Sequence, residues 1–181
     1  MVQGVSDELL SALLARKEGH VHCLGVCGIG MAGIAVLLRA AGFRVTGCDL
    51  ALNALAVWLQ AHGVDVMAGH DPAHLEEDVN WIMRSAAVAG DDPENQAATD
   101  RVIPVFRRGE VLPALIAAYP VSVAVGGTHG KTTTTAFIAQ VLRFAGLNPG
   151  YCIGGEVSSL DGVAAPGGGH TMVVEADESD G

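Results

Sequence analysis

The run Gly126-Gly127-Thr128-His129-Gly130-Lys131-Thr132-Thr133 has the residue types and spacing of a phosphate cradle. It follows an apolar stretch predicted as a strand over 121–125 and leads into a predicted helix over 132–145. Glycines let the backbone fold tightly enough for its N–H groups to point inward at phosphate oxygens. A helix N-terminus adds its partial positive charge. Lys131 reaches terminal phosphates in such a loop, and the Thr132 hydroxyl can ligate Mg²⁺. The chain has two lysines, Lys17 and Lys131, and one of them stands where this chemistry needs it. The plain alternative is a glycine–threonine turn without a ligand. Gly-Lys-Thr in register with both flanking elements argues against it.

Two other constellations carry chemistry. Gly28-Ile29-Gly30-Met31-Ala32-Gly33 has the G-x-G-x-x-G spacing, and Asp49 follows Gly28 by 21 positions, at the end of the next predicted strand. In a Rossmann-like unit such glycines let the backbone approach a diphosphate at a helix N-terminus, while the acid takes sugar hydroxyls. The same spacing also serves close strand–helix packing with no ligand. The third is Glu175-Ala176-Asp177-Glu178-Ser179-Asp180, directly after an apolar run. A carboxylate at a strand tip facing the phosphate loop can hold Mg²⁺, whereas four acids elsewhere are an ordinary solvated loop. His129 lies inside the phosphate loop and His70 follows the third predicted strand, so each is a candidate nucleotide contact, although a lone histidine is more often structural.

Positioning these groups requires alternating strands and helices. Residues 6–17 read as an amphipathic helix within an N-terminal extension, 1–19. Predicted strands cover 21–26, 43–48, 64–67, 81–84 and 102–106, with helices over 31–41, 53–62, 95–101 and 110–118. Short apolar strands between amphipathic helices imply an α/β fold, a mostly parallel Rossmann-like sheet over 20–118. Tyr119-Pro120 marks a boundary, since proline breaks the preceding helix. Residues 119–181 then read as the start of a P-loop ATP-binding α/β domain, with strands at 121–125, 150–153 and 171–174. The Gly/Ala/Pro-rich 161–169 is expected to be a flexible loop. A complete nucleotide domain needs more strands, so the chain reads as a fragment.

Of the 181 residues half are hydrophobic and 17% charged, a globular composition. The formal net charge of −10 argues against a phosphate-backbone binder, so no nucleic-acid partner is expected. An anionic nucleotide must then be gripped locally. Cys23, Cys27, Cys48 and Cys152 show no paired metal-ligand spacing. Buried, reduced thiols are expected, which favours the cytoplasm. No apolar stretch is long enough to span a bilayer, so no membrane partner is expected.

These motifs together resemble the Mur ligase family, and within it the alanine-adding branch. The similarity runs from His20 to the last residue. It rests on His22-Cys23-Leu24-Gly25, Gly28 to Ala35, Val45-Thr46-Gly47-Cys48-Asp49, Ser85-Ala86-Ala87-Val88, Ile103-Pro104-Val105 with Arg108 and Glu110, Gly127 to Thr133, and Glu175 to Asp180. The resemblance implies an ATP- and Mg²⁺-dependent ligase that joins L-alanine to UDP-N-acetylmuramate through an acyl phosphate. It gives Lys131 and Glu175 catalytic roles and Thr132 with Glu175 the metal. It gives Gly127, Thr128, His129, Gly130, Lys131, Thr132 and Thr133 the ATP phosphates. Gly28, Gly30, Met31 and Ser85 would contact the sugar-nucleotide diphosphate, with Asp49, His70 and Arg108 near the uridine end. A fragment without the closing domain is expected to be inactive alone.

Departures leave alternatives open. Cys27 stands where the alanine-adding branch usually has glycine and resembles the branch that recycles tripeptide onto the same sugar nucleotide. Ala32 and Arg84-Ser85-Ala86-Ala87 also differ from the usual run, whereas Arg108-x-Glu110 and the Glu-Ser-Asp ending favour the alanine-adding pattern. A nicotinamide-dependent oxidoreductase would account for Gly28, Gly30, Gly33 and Asp49 but would leave the phosphate loop idle. A non-catalytic nucleotide switch is the remaining reading.

Overall fold

The computed structural model describes residues 3–176. Helix α1 (Gln3–Ala15) precedes β1 (His20–Leu24), α2 (Ile29–Ala40), β2 (Arg44–Asp49), α3 (Ala54–Ala61), β3 (Asp65–Ala68), a 3₁₀ turn (Pro72–His74) and β4 (Val79–Arg84). Then follow α4 (Pro93–Asp100), β5 (Val105–Arg107), α5 (Arg108–Ile116), β6 (Val121–Val125), α6 (Lys131–Phe144), β7 (Gly150–Cys152), β8 (Ala164–Ala165) and β9 (Thr171–Glu175).

The first sheet has the order β3-β2-β1-β4-β5, and every pairing in it is parallel. Strand order reverses direction at β1, so the ends of β1 and β4 open a crevice, the place where parallel α/β sheets take ligands. Both faces are covered. Val21 and Cys23 point into the larger core, with Phe43, Trp81 and Phe106 and helices α2 and α5. His20, His22 and Leu24 point to the other face, because side chains alternate along a strand. That second face holds the smaller core of Leu24, Cys48, Leu75, Val79, Ile82, Val88 and Ala98. Trp81 is clasped edge-on by Phe43 at 6.2 Å and Phe106 at 5.7 Å between ring centroids, a favoured aromatic geometry.

The second sheet has the order β6-β9-β7-β8, parallel except for β7 with β8. It rests on α2. A Cβ built on Gly33 would lie 2.8 Å from Cys152 Sγ and 3.4 Å from Ala164 Cβ, so this glycine permits the close approach. Tyr119 Oη also donates to the Pro166 carbonyl at 3.2 Å.

The structure corrects some boundaries. The strand predicted over 102–106 begins only at Val105. Val102 instead ends α4 with φ 57°. Its N–H reaches the Thr99 carbonyl, and the Ile103 N–H reaches Ala98; this is a Schellman ending in which the chain turns left-handed. The segment 161–169 is not a plain loop, because Ala164–Ala165 forms β8 and pairs with Cys152 and Tyr151. Helix α1 packs on α5 and buries Leu10 in the larger core. Within the acidic run the structure describes Glu175 and Ala176; Asp177 to Asp180 lie outside the described residues.

Candidate functional site

Two glycine-opened helix N-termini dominate the molecule. At the first, Gly28 is the N-cap of α2 in an extended conformation with no side-chain cap. The early N–H groups of a helix have no partner within it, so the backbone at Ile29, Gly30 and Met31 is the donor set here. The Met31 side chain itself is buried in the core. Gly30 is overlain by the Arg108 guanidinium; a Cβ built there would fall 1.9 Å from Arg108 Nη1. The carboxyl end of β1 thus carries a helix N-terminus and a cation side by side, which offsets the overall negative charge locally.

A cavity of about 310 Å³ opens beside this loop, lined by Gly25, Gly28, Asp49, His70, Ser85 and Asp92 among others. Four residues predicted from the sequence, Gly28, Asp49, His70 and Ser85, therefore meet in one place. Asp49 is aimed back at the glycine loop. Its Oδ2 accepts from Cys27 N–H at 2.9 Å and its Oδ1 from Ala51 N–H at 3.1 Å, so it shapes the loop as well as lining the cavity. Cys27 is buried and its carbonyl accepts from Asn53 Nδ2 at 3.1 Å. Burial, then the Asp49 charge, pushes its thiol above the ordinary range. Ser85 N–H donates to Leu24 O, and Ser85 Oγ accepts from Ala87 N–H at 3.2 Å. Arg84 secures this turn by donating to the Val88 carbonyl at 2.7 Å.

Asp92 is a residue that the sequence reading missed. It caps α4, accepting from Glu94 N–H at 3.0 Å and Asn95 N–H at 3.2 Å through Oδ1. Its Oδ2 holds His70 Nδ1 in a short contact, leaving the buried His70 Nε2 without a partner. The Asp92-Pro93 pair, an N-cap followed by proline, was the available signal.

At the second site β6 ends in the phosphate loop. Gly127 (φ 140°) and Gly130 (φ 77°) adopt conformations that favour glycine. A Cβ on Gly126 or Gly130 would meet nothing within 4 Å, so both positions border open space. Gly130 is the N-cap of α6 and makes no side-chain cap bond. Thr128, His129 and Thr133 are exposed around the opening. Lys131 Nζ folds back onto the Gly127 carbonyl at 2.9 Å, bridging the loop.

Glu175 closes the same site from the next strand. In the β6–β9 register Val125 lies opposite Glu175, and Ala176 N–H donates to Val125 O at 3.0 Å. Glu175 Oε1 accepts from Gly154 N–H at 2.8 Å. A Cβ on Gly154 would stand 2.9 Å from Glu175 Oε2, and one on Gly155 would stand 3.0 Å from Thr132 Cγ2. The Gly154-Gly155 pair therefore runs between Glu175 and Thr132. A carboxylate and a hydroxyl are the hard oxygen donors that Mg²⁺ prefers, so Glu175 and Thr132 are the residues here that could hold one. Thr135 Oγ1, buried one turn further on, has no partner.

The expectation for the four thiols is corrected in one respect. All are buried and free, as predicted. Cys48, however, lies with His22 and Glu94 in a buried cluster whose ligand-type atoms fall within 4.8 Å of one another. The residues are far apart in sequence and meet through sheet register, which linear spacing does not reveal.

No described helix is long and apolar enough to cross a membrane. Residues 20–120 match the family model described as Mur ligase family, catalytic domain. The chain is 50% identical over 163 residues to UDP-N-acetylmuramate–L-alanine ligase of Acidiphilium cryptum, covering 90% of this chain and 34% of that protein. It is 45% identical over 166 residues to the ligase of the same name from Carboxydothermus hydrogenoformans, covering 92% and 36%. It spans about a third of the length of these curated relatives. Among solved structures, UDP-N-acetylmuramate–alanine ligase of Thermotoga maritima superposes with TM-score 0.82 at 31% identity, over 89% of this chain and 37% of that one. The Neisseria UDP-N-acetylmuramate:L-alanyl-γ-D-glutamyl-meso-diaminopimelate ligase does so with TM-score 0.80 at 31% identity, over 89% and 53%. With a family model covering more than half its residues, and superposition on these ligases over 89% of its length, the chain belongs to the Mur ligase family.

Proposed function

We propose that this chain is the nucleotide-handling part of a cytoplasmic, ATP-dependent ligase that joins L-alanine to the lactyl carboxylate of UDP-N-acetylmuramate in peptidoglycan synthesis. One observation carries the reading. Two glycine-opened helices, capped by Gly28 and Gly130, each follow a parallel strand, and each has an acid at the tip of the neighbouring strand, Asp49 and Glu175. One such site suits a single nucleotide. Two suit a reaction between a nucleotide-linked acid and ATP, and a nicotinamide enzyme has no use for the second.

The chemistry follows from charge. A carboxylate is a poor electrophile at neutral pH. Transfer of the ATP γ-phosphoryl group to a carboxylate oxygen makes a mixed anhydride. The alanine amine then attacks the carbonyl carbon, phosphate departs and the amine proton passes to solvent. Catalysis lies in aligning two anions and neutralising them. The loop N–H groups from Gly127 to Gly130, with Thr133, cradle the ATP phosphates, and the Lys131 ammonium turns from the Gly127 carbonyl to the transferring group. Thr132 and Glu175 would hold Mg²⁺, which would supply neutralisation of charge on the phosphate oxygens. The N–H groups at Gly30 and Met31, with Gly28, Ser85 and Arg108, take the sugar-nucleotide diphosphate. His70, oriented by Asp92, and Asp49 face the uridine end across the cavity. We read the chain as a sugar-nucleotide unit (20–118) followed by an ATP unit (119–181), a division that the presence of two separate sheets supports.

The test is a product assay on the full-length polypeptide that carries this sequence, with UDP-N-acetylmuramate, ATP, Mg²⁺ and L-alanine. UDP-N-acetylmuramoyl-alanine is the expected product, lost with Lys131→Ala. Tripeptide in place of alanine is the second arm, because the Neisseria tripeptide ligase and the Thermotoga alanine ligase share the same 31% identity with this chain. Undiminished turnover by the Lys131 variant sinks the reading. So does blue-shifted NADH fluorescence with a melting temperature indifferent to ATP and UDP-sugar.

A further inference from the structure

The buried polar cluster under the first sheet is not needed by the proposed reaction. In the β1–β2 register His22 pairs with Thr46 and Leu24 with Cys48, which places His20, His22, Thr46 and Cys48 on one face. Glu94, from the first turn of α4, enters that face with no exposed surface. Cys48 Sγ donates to Glu94 Oε2 at 3.1 Å, and the Asp71 N–H reaches the same oxygen at 3.2 Å. His22 Nε2 lies 2.7 Å from Glu94 Oε1, a buried histidine–carboxylate contact. Both side chains are 0% exposed.

One proton arrangement of the neighbouring hydrogen-bond chain makes His22 Nε2 available as a metal donor. Asp78 accepts from His20 Nδ1–H at 2.8 Å. Arg44 Nη1, 3.3 Å from that nitrogen, is a donor occupied by Glu76 and Asp78. In the tautomer in which His20 Nε2 accepts, it takes the Thr46 hydroxyl proton at 2.8 Å. The Thr46 oxygen then accepts from His22 Nδ1–H at 2.7 Å. In this tautomer the His22 Nε2 lone pair is directed at Glu94 and Cys48, the arrangement by which outer partners prepare a histidine for a metal.

We propose that His22 Nε2, Cys48 Sγ and the Glu94 carboxylate form a structural site for a divalent cation of the zinc class, with His74 Nδ1 as the nearest fourth donor. His74 Nδ1 is partnerless and sits 3.5 Å from Glu94 Oε2. Nitrogen, thiolate and carboxylate donors suit Zn²⁺. Binding forms a metal–sulfur bond and releases the Cys48 proton to solvent. Dication, thiolate and carboxylate then sum to zero charge, as a site without solvent contact requires. The ion would tie β1, β2 and the start of α4, two residues from the Asp92 that holds His70.

The test uses the 181-residue chain, stripped with chelator and titrated with Co²⁺, then with Zn²⁺ in competition. One equivalent of Co²⁺ is expected to bind with an intense thiolate-to-cobalt band in the near ultraviolet, displaced by Zn²⁺, and Zn²⁺ should raise the melting temperature. Cys48→Ser, which preserves volume, should abolish the band. Thr46→Val should keep the band but weaken binding by roughly 10-fold or more. No uptake by the native chain overturns the proposal and leaves a hydrogen-bonded cluster. A band that survives Cys48→Ser also overturns it. No nucleotide enters these measurements, so their failure is separable from failure of the ligase reading.

Discussion

Replacing Gly33 by alanine sets two effects of opposite sign against each other. In the middle of α2, alanine is better than glycine by about 1 kcal/mol. The new methyl, however, would lie 2.8 Å from Cys152 Sγ, well inside the roughly 3.5–4 Å of an ordinary contact. The sulfur has little room to retreat, because Cys152 is 6% exposed and packed within the core. Overpacking of this kind costs about 1–3 kcal/mol. The single variant should therefore lose between about 0 and 2 kcal/mol. With Cys152→Ala the obstructing atom is gone and Ala164 Cβ at 3.4 Å becomes the nearest neighbour. In that background Gly33→Ala should stabilise by up to about 1 kcal/mol. The assay is urea unfolding of the four chains of the cycle, followed by tryptophan fluorescence and far-ultraviolet dichroism. A coupling of about 1–3 kcal/mol is expected; one below about 0.5 kcal/mol would mean that the two sites are independent and that α2 does not bear on β7.

Three further outcomes follow from particular residues. Gly162→Ala should cost at least about 2 kcal/mol and shift tryptophan emission, since φ is +83° and the added Cβ would fall 2.3 Å from Trp58 Nε1. Val102→Gly should stabilise by up to about 1 kcal/mol in thermal or urea unfolding, because an exposed valine occupies the left-handed position that Gly146 fills in the equivalent ending of α6. Ellman titration of the native chain at pH 8 should be slow at all four cysteines and reach full titre only in denaturant. Burial pushes the Cys23 and Cys152 thiols up to about 12, so almost no thiolate is present at that pH.

Much of the first unit was legible because its signals are local. The strand at Arg44–Asp49 alternates toward two cores, the glycines after β1 open α2, and Asn53 caps α3 by accepting from Leu55 N–H at 2.8 Å. The phosphate loop was legible for the same reason, as strand, glycines, lysine and helix follow one another without interruption. What was missed depends on distance in sequence. Glu94 meets His22 and Cys48 across 72 and 46 positions, and no spacing rule spans such gaps. Gly33 read as part of a diphosphate fingerprint, whereas its hydrogen faces the second sheet. Val102 was read as strand because β-branched residues favour that state; the need to end α4 overrode the preference.

Strand β6 has β9 on one side and, among the described residues, no partner on the other. Val121 on this strand is 45% exposed, and nearby α6 presents Phe137, Val141 and Phe144, the last 91% exposed. A row of unsatisfied peptide groups beside a greasy helix stripe is adhesive. In concentrated solution the isolated polypeptide should therefore grow into assemblies seeded along that border, and lysine at Val121 or Phe144 should keep it dispersed.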